Sequence, residues 1–145
     1  MSAQPVIVQR TPAAEDAGRA DFYALLARLI HDAPDAALLA SLAGAQELPA
    51  DADPDLTRAW QGLVRAAGAM DPDAAAEEFE LLFVGMGKSE VSAYAGYYSG
   101  APSIDHPRVR IQADLAALGL SRRAEVTEPE DHFSGLFEVM RVLAA

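Results

Sequence analysis

The chain has 145 residues, enough for one domain that buries roughly two-thirds of its unfolded surface, and 51% of them are hydrophobic, which argues against wholesale disorder. The absence of cysteine excludes disulfides, thiolate metal sites and cysteine nucleophiles together, in keeping with a reducing compartment. Net charge is −11, and residues 14–82 alone carry 14 carboxylates against 4 arginines, the reverse of a nucleic-acid binder.

Such an acidic surface keeps a protein soluble, and it also draws basic partners, for instance a peptide carrying an arginine pair. The start, Met1-Ser2-Ala3-Gln4-Pro5, shows no basic patch followed by an apolar run, so no signal peptide is expected. No apolar stretch is long enough for stable membrane insertion, and the expected location is cytoplasmic.

Residues 1–11 read as a flexible tail, with Val6-Ile7-Val8 too short to make a sheet, and 12–145 as a single helical domain. Thr11-Pro12, Asp53-Pro54 and Asp71-Pro72 each set a capping side chain directly before a proline, a helix-start signature. The first helix is expected over about 12–31, with Phe22, Leu25, Leu26, Leu29 and Ile30 as its apolar stripe and Pro34 beyond its end. A short helix follows over 35–43, closed by Gly44. A third, over about 54–69, is expected to bury Leu56, Ala59, Trp60, Leu63 and Ala67. A fourth, over about 72–84, is expected to bury Ala75, Phe79, Leu82 and Phe83.

The pattern then breaks. Gly85 to Asp105 holds four glycines, four serines, a proline and three tyrosines without a sustained period, and a loop of this length inside a compact domain is usually functional or disordered. Helical spacing returns with Ile111, Leu115 and Leu118, closed by Gly119. The last helix is expected to open at Thr127-Glu128-Pro129-Glu130, with Thr127 capping and Glu130 reaching back, and to bury Phe133, Leu136, Phe137, Met140 and Leu143. On that helix His132 falls at the border of the apolar stripe and Asp131 points away from Phe133. The fold class is therefore all-α, with about six helices and a long 85–105 loop.

Candidate chemistry is sparse. Asp105-His106 and Asp131-His132 suggest a small metal-dependent hydrolase, but a metal centre needs three or more convergent ligands, and no i,i+4 histidine pair occurs. None of Ser89, Ser92, Ser99 or Ser103 sits in a nucleophile elbow. Gly85-Met86-Gly87-Lys88-Ser89 follows a helix rather than a strand and lacks the first glycine of a phosphate loop.

Four ordered motifs carry more. Glu128-Pro129-Glu130-Asp131-His132-Phe133, followed by Leu136, Glu138, Met140 and Leu143, resembles the Glu-Pro-x-Asp-His helix of the TorD/DmsD family of redox-enzyme maturation chaperones. Glu78-Phe79 with Leu82-Phe83-Val84-Gly85 is similar to the family's acidic-aromatic motif, Tyr94-Ala95-Gly96-Tyr97-Tyr98 to the aromatic-rich segment that follows, and Asp114-Leu115 with Leu118-Gly119-Leu120 to its penultimate helix. The likeness covers roughly 12–145, its specific motifs lie within 78–143, and the linker is most similar to members that accompany formate dehydrogenases. Many relatives carry prolines where Met86 and Ala93 stand, which weakens the expectation of a rigid loop. Relatives usually continue for several more helices, so the C-terminal part of the family fold is expected to be missing, through truncation or through packing supplied by a swapped neighbour in a homodimer.

The resemblance implies a chaperone and not an enzyme. Relatives bind the twin-arginine leader of a molybdoenzyme catalytic subunit precursor and protect the apo form during cofactor insertion before export. Carried over residue by residue, the peptide-binding surface comprises Phe79, Leu82, Phe83, Tyr94, Tyr98, Glu128, Pro129, Asp131 and His132. The expected site is a groove between the 85–105 segment and the opening turn of the final helix. Phe79, Tyr94 and Tyr98 are expected as aromatic walls, Asp131 and Glu128 as partners for leader arginines, and His132 as a hydrogen-bonding anchor for the loop. The family also suggests a guanine nucleotide or the molybdenum cofactor as an accessory ligand, which no residue here specifies; no resident cofactor is expected. The rival readings are the metal-dependent hydrolase and a purely structural helical adaptor.

Overall fold

Proline-headed caps set the helix starts of the first half. In the computed structural model, which describes residues 13–100 and 106–145, Asp53 Oδ1 accepts from the amides of Asp55 and Leu56, and Asp71 Oδ1 from those of Asp73 and Ala74. Each cap is followed by proline at the first helical position, where the missing N–H costs nothing. These caps open α3 (Pro54–Ala69) and α4 (Pro72–Phe79). They follow α1 (Ala14–His31) and α2 (Ala36–Ala43), the latter capped by Asp35 through the Leu38 amide. The expected Thr11-Pro12 cap and the Val6–Val8 segment lie outside the described residues.

The apolar stripes then choose partners. Leu39 and Leu42 of α2 meet Ala67 of α3 and Ala75 of α4, with Leu25, Leu38, Trp60, Leu63 and Met70 packed around them. The Phe22 ring meets Trp60 edge-on at 5.5 Å, joining α1 to α3, and Trp60 Nε1 donates to Gln46 O at 2.9 Å. Contrary to expectation, Leu56 and Ala59 are exposed: α2 covers only the Trp60–Leu63–Ala67 side of α3.

The second half departs further from the sequence reading. α4 does not run on to residue 84 but widens into a π-helical turn, Glu80–Val84, closed by Gly85 N–H donating to Glu80 O at 2.7 Å. The chain reverses there, because Gly85 takes φ 63° and a Cβ on it would stand 2.5 Å from Lys88 O. Within the expected loop lies a single-turn helix, α5 (Ala95–Tyr98), and α6 (Pro107–Ala117) follows, capped by His106 Nδ1.

The final helix, α7, begins at Phe133 and runs to Ala144, so it starts after the Thr127–Glu130 stretch that was expected to open it. α7 lies along α1, with Tyr23 stacked on Phe137 at 6.3 Å. Phe133, Leu136 and Phe137 are half-buried, whereas Met140 and Leu143 are exposed. Among the described residues the architecture is thus all-α, seven helices and one π turn, with a lone bridge between Tyr94 and His132 and no helix long and apolar enough to cross a membrane.

Candidate functional site

The buried polar residues among those described gather at one place: Asp131 is 4% exposed, and His132 and Ser134 are each 8% exposed. Burying such groups is costly unless each finds a partner, and here each does. Asp131 O accepts from Ala95 N–H at 2.9 Å, Asp131 Oδ2 from Gly96 N–H at 3.2 Å, and Ala93 O from Phe133 N–H at 2.8 Å. The segment 93–96 is thereby stitched to 131–133 through main chain and one carboxylate. Gly96 is required by this closeness: a Cβ would stand 2.8 Å from Asp131 Oδ2 and 3.0 Å from His106 Cε1.

His132 closes the same joint. Its Nδ1 accepts from the Ser134 amide at 3.3 Å, capping α7, and lies 2.7 Å from Ser134 Oγ. An acceptor at Nδ1 places the proton of the neutral ring on Nε2. The Tyr94 ring meets the imidazole edge-on at 5.0 Å. Burial holds the His132 pKa below its ordinary value, with His31 pushing the same way and Glu128 and Asp131 opposing.

The expected capping box does not form because its glutamate is taken. Glu130 Oε2 meets Arg108 Nε at 3.1 Å and Glu130 Oε1 meets Arg122 Nε at 3.2 Å, so one carboxylate ties the start of α6 to the segment beyond its end. Its own backbone amide and, despite opposing burial, the Gln112, Arg108 and Arg122 side chains hold the Glu130 carboxyl down to about 2. His132 N–H donates to Pro129 O at 3.0 Å, which makes Pro129–His132 a turn rather than a helix.

Beyond this turn opens a cavity of about 620 Å³, bounded by α1, α7 and the chain from Leu115 to Glu130. Its volume suits a small molecule or a peptide's side chains. Leu115, Leu120, Val126 and Val139 give it apolar walls, and its lining carries both Glu128, Glu130 and Glu138 and the cations Arg28, Arg122, Arg123 and Arg141. Arg141 Nε pairs with Glu138 at 2.8 Å. Glu128 makes no ion pair among the described residues. Its pKa lies below the usual value, mainly through its own backbone amide and, despite opposing burial, through His31, the Thr127 side chain and His132.

The structure divides the expected binding residues into three places. Glu128, Pro129 and His132 line the large cavity. Tyr94 touches His132 and is partly exposed; Tyr98 packs near Phe133 at 6.1 Å while its hydroxyl donates to Ser92 O, and its ring is largely exposed, as is that of Tyr97, a member of the motif not expected among the binding residues. Phe79, Leu82 and Phe83 line a smaller cavity with Leu39, Leu42 and Ala67. Asp131 does not point away from the apolar face as a helical position would dictate; it is buried in the joint. No open groove separates 93–96 from 131–133, because hydrogen bonds join them. Spacing assigned Glu130 only a capping role and left His31 out of the site, because their partners lie away from them in the chain. Among the described residues no cluster of His, Asp and Glu is arranged to hold a metal, and Asp105 lies outside them.

The Glu-Pro-x-Asp-His segment thus forms a buried joint beside a cavity, in place of the expected groove between 85–105 and the final helix. A family model described as the nitrate reductase delta subunit matches residues 49–145, and the chain belongs to that family, one of chaperones for molybdoenzyme maturation. Neither a curated protein nor a solved structure matches the chain.

Proposed function

We propose that the chain holds the twin-arginine leader of a molybdoenzyme precursor on the cytoplasmic side, and shields the apo form until its cofactor is inserted. One leader arginine seats in the large cavity against Glu128. The observation that carries this reading is the setting of that carboxylate: it lines the cavity, its pKa is held below the usual value, and among the described residues no ion pair engages it, whereas Glu130 and Glu138 beside it are engaged by arginines. A guanidinium presents a planar fork that fits a carboxylate with two hydrogen bonds. Leu115, Leu120, Val126 and Val139 offer the apolar contact that the rest of a leader needs, and the net charge of −11 favours the approach of a basic guest.

The other motif residues serve this site at different removes. Tyr94 and Tyr98 offer exposed rings to a continuing extended guest, Pro129 shapes the turn that presents Glu128, and Asp131 and His132 hold the joint rather than touch the leader. Phe79, Leu82 and Phe83 anchor the π turn to the core, which explains their apolar identity without a guest. A calorimetric titration with a synthetic leader tests the reading. Replacing both leader arginines by glutamine is expected to weaken binding about tenfold or more, and replacement by lysine to weaken it less. Equal binding of all three peptides would contradict the proposal.

A further inference from the structure

Two independent demands fall on the His132 ring. Its Nδ1 must accept from the Ser134 amide to cap α7, and its ring must pack at right angles to that of Tyr94 at the point where 93–96 joins 131–133. Both are met by a neutral imidazole protonated on Nε2. A proton on Nδ1 removes the acceptor, turns it towards the Ser134 N–H as a second donor, and sets a positive charge at a helix N-terminus, where the dipole disfavours it. The Ser134 hydroxyl, 2.7 Å away, can accept from the protonated nitrogen, but the amide then has no partner.

We propose that His132 is a proton-operated latch: the neutral ring holds the Tyr94–Tyr98 turn on the start of α7, and the protonated ring releases it. The groups around the ring set the balance. Asp131 and Glu128 from its own segment favour the proton, whereas burial and His31 at the end of α1 oppose it. Tyr94 from the returning segment packs on it, and Arg28, Arg122, Arg123, Arg141, Glu130 and Glu138 share the cavity that it lines. His106 stands beside Gly96, on the side where the Asp131 carboxylate also lies.

The sign follows from linkage. With the folded-state pKa below that of the open state, the latch is at full strength above about 6.5, the ordinary histidine value, and weakens as pH falls towards the folded-state pKa. Glu128 and Glu130, both held low, remain ionised across that window and do not mimic the effect.

The latch requires no guest, so its test is separate from that of leader binding. Amide hydrogen exchange at Ala95, Gly96 and Phe133, corrected for the pH dependence of intrinsic exchange, gives the opening constant of the joint. In the full chain it is expected to rise several-fold, by at most about tenfold, from pH 7.5 to 5.5. His132→Asn keeps an acceptor at the cap and cannot titrate, so its opening constant should be flat; Ser134→Ala, which removes the fallback acceptor, should open more in acid than the parent. His106→Asn should keep the rise. A flat parent profile, or an unaltered rise in His132→Asn, would overturn the latch. Should His132→Asn fail to fold, the imidazole 15N shifts of the parent decide: a bare Nδ1 at neutral pH supports it, and a protonated Nδ1 refutes it.

Discussion

The α2–α3–α4 region and the joint between 93–96 and 131–133 are stabilised by opposite means. In the first, Leu39, Leu42, Ala67 and Ala75 are buried, and aspartates at 35, 53 and 71 satisfy helix starts from within three residues. In the second, Asp131, His132 and Ser134 are buried, and the decisive bond, Gly96 N–H to Asp131 Oδ2, spans 35 positions of sequence. Apolar contacts tolerate adjustment, because dispersion and area are spread over many atoms. A buried carboxylate that holds one backbone amide leaves no such slack. A chaperone needs a firm scaffold and a surface that can be presented or withdrawn, and here those tasks fall to different chemistries.

The largest expected effect lies in the joint. Asp131→Ala strips the Gly96 amide of its acceptor inside the protein and should cost about 3 kcal/mol in denaturant unfolding; a loss below 1 kcal/mol would abolish the contrast between the regions. Gly96→Ala forces a methyl group against Asp131 Oδ2 and should cost about 2 kcal/mol, and a double variant with Asp131→Ala should be less damaging than the sum, since the clash is relieved. In the helical half, Asp53→Ala and Asp71→Ala each remove a local cap and should cost about 1 kcal/mol with near-additive behaviour. Smallest of all, Met86→Ser at the exposed tip of the Gly85 turn should lie within about 0.5 kcal/mol of the parent.

Acid provides a second axis of separation. Glu130 is depressed to about 2, so the Arg108–Glu130–Arg122 clamp contributes stability above the unfolded carboxyl's 4.5 and loses it only as pH falls towards about 2. The His132 joint should weaken earlier. Unfolding midpoints that change in a single step across this range, with no earlier loosening at 93–96, would merge the two regions into one.

What could be read from the sequence followed the same division. The starts of α3 and α4, the short α2 and the family motifs were legible because spacing and capping are local. Thr127 and Glu130 satisfied an equally local pattern, yet two arginines claim Glu130 and the helix begins at Phe133. Similarly, helical projection placed Asp131 opposite the apolar face, and the turn after Pro129 carries it inside instead. The π turn after Phe79 and the helix Ala95–Tyr98 left no periodic trace, being only five and four residues long. The motif marked the segment that forms the buried joint; how each of its members is engaged there depended on partners that no spacing reveals.

The most direct test sets Glu128 apart from its motif neighbours. Leader affinity of Glu128→Gln, measured by calorimetry beside its thermal midpoint, is expected to fall about tenfold or more with Tm unchanged. Parent-like affinity in that variant would contradict the assignment of Glu128 as the arginine's seat.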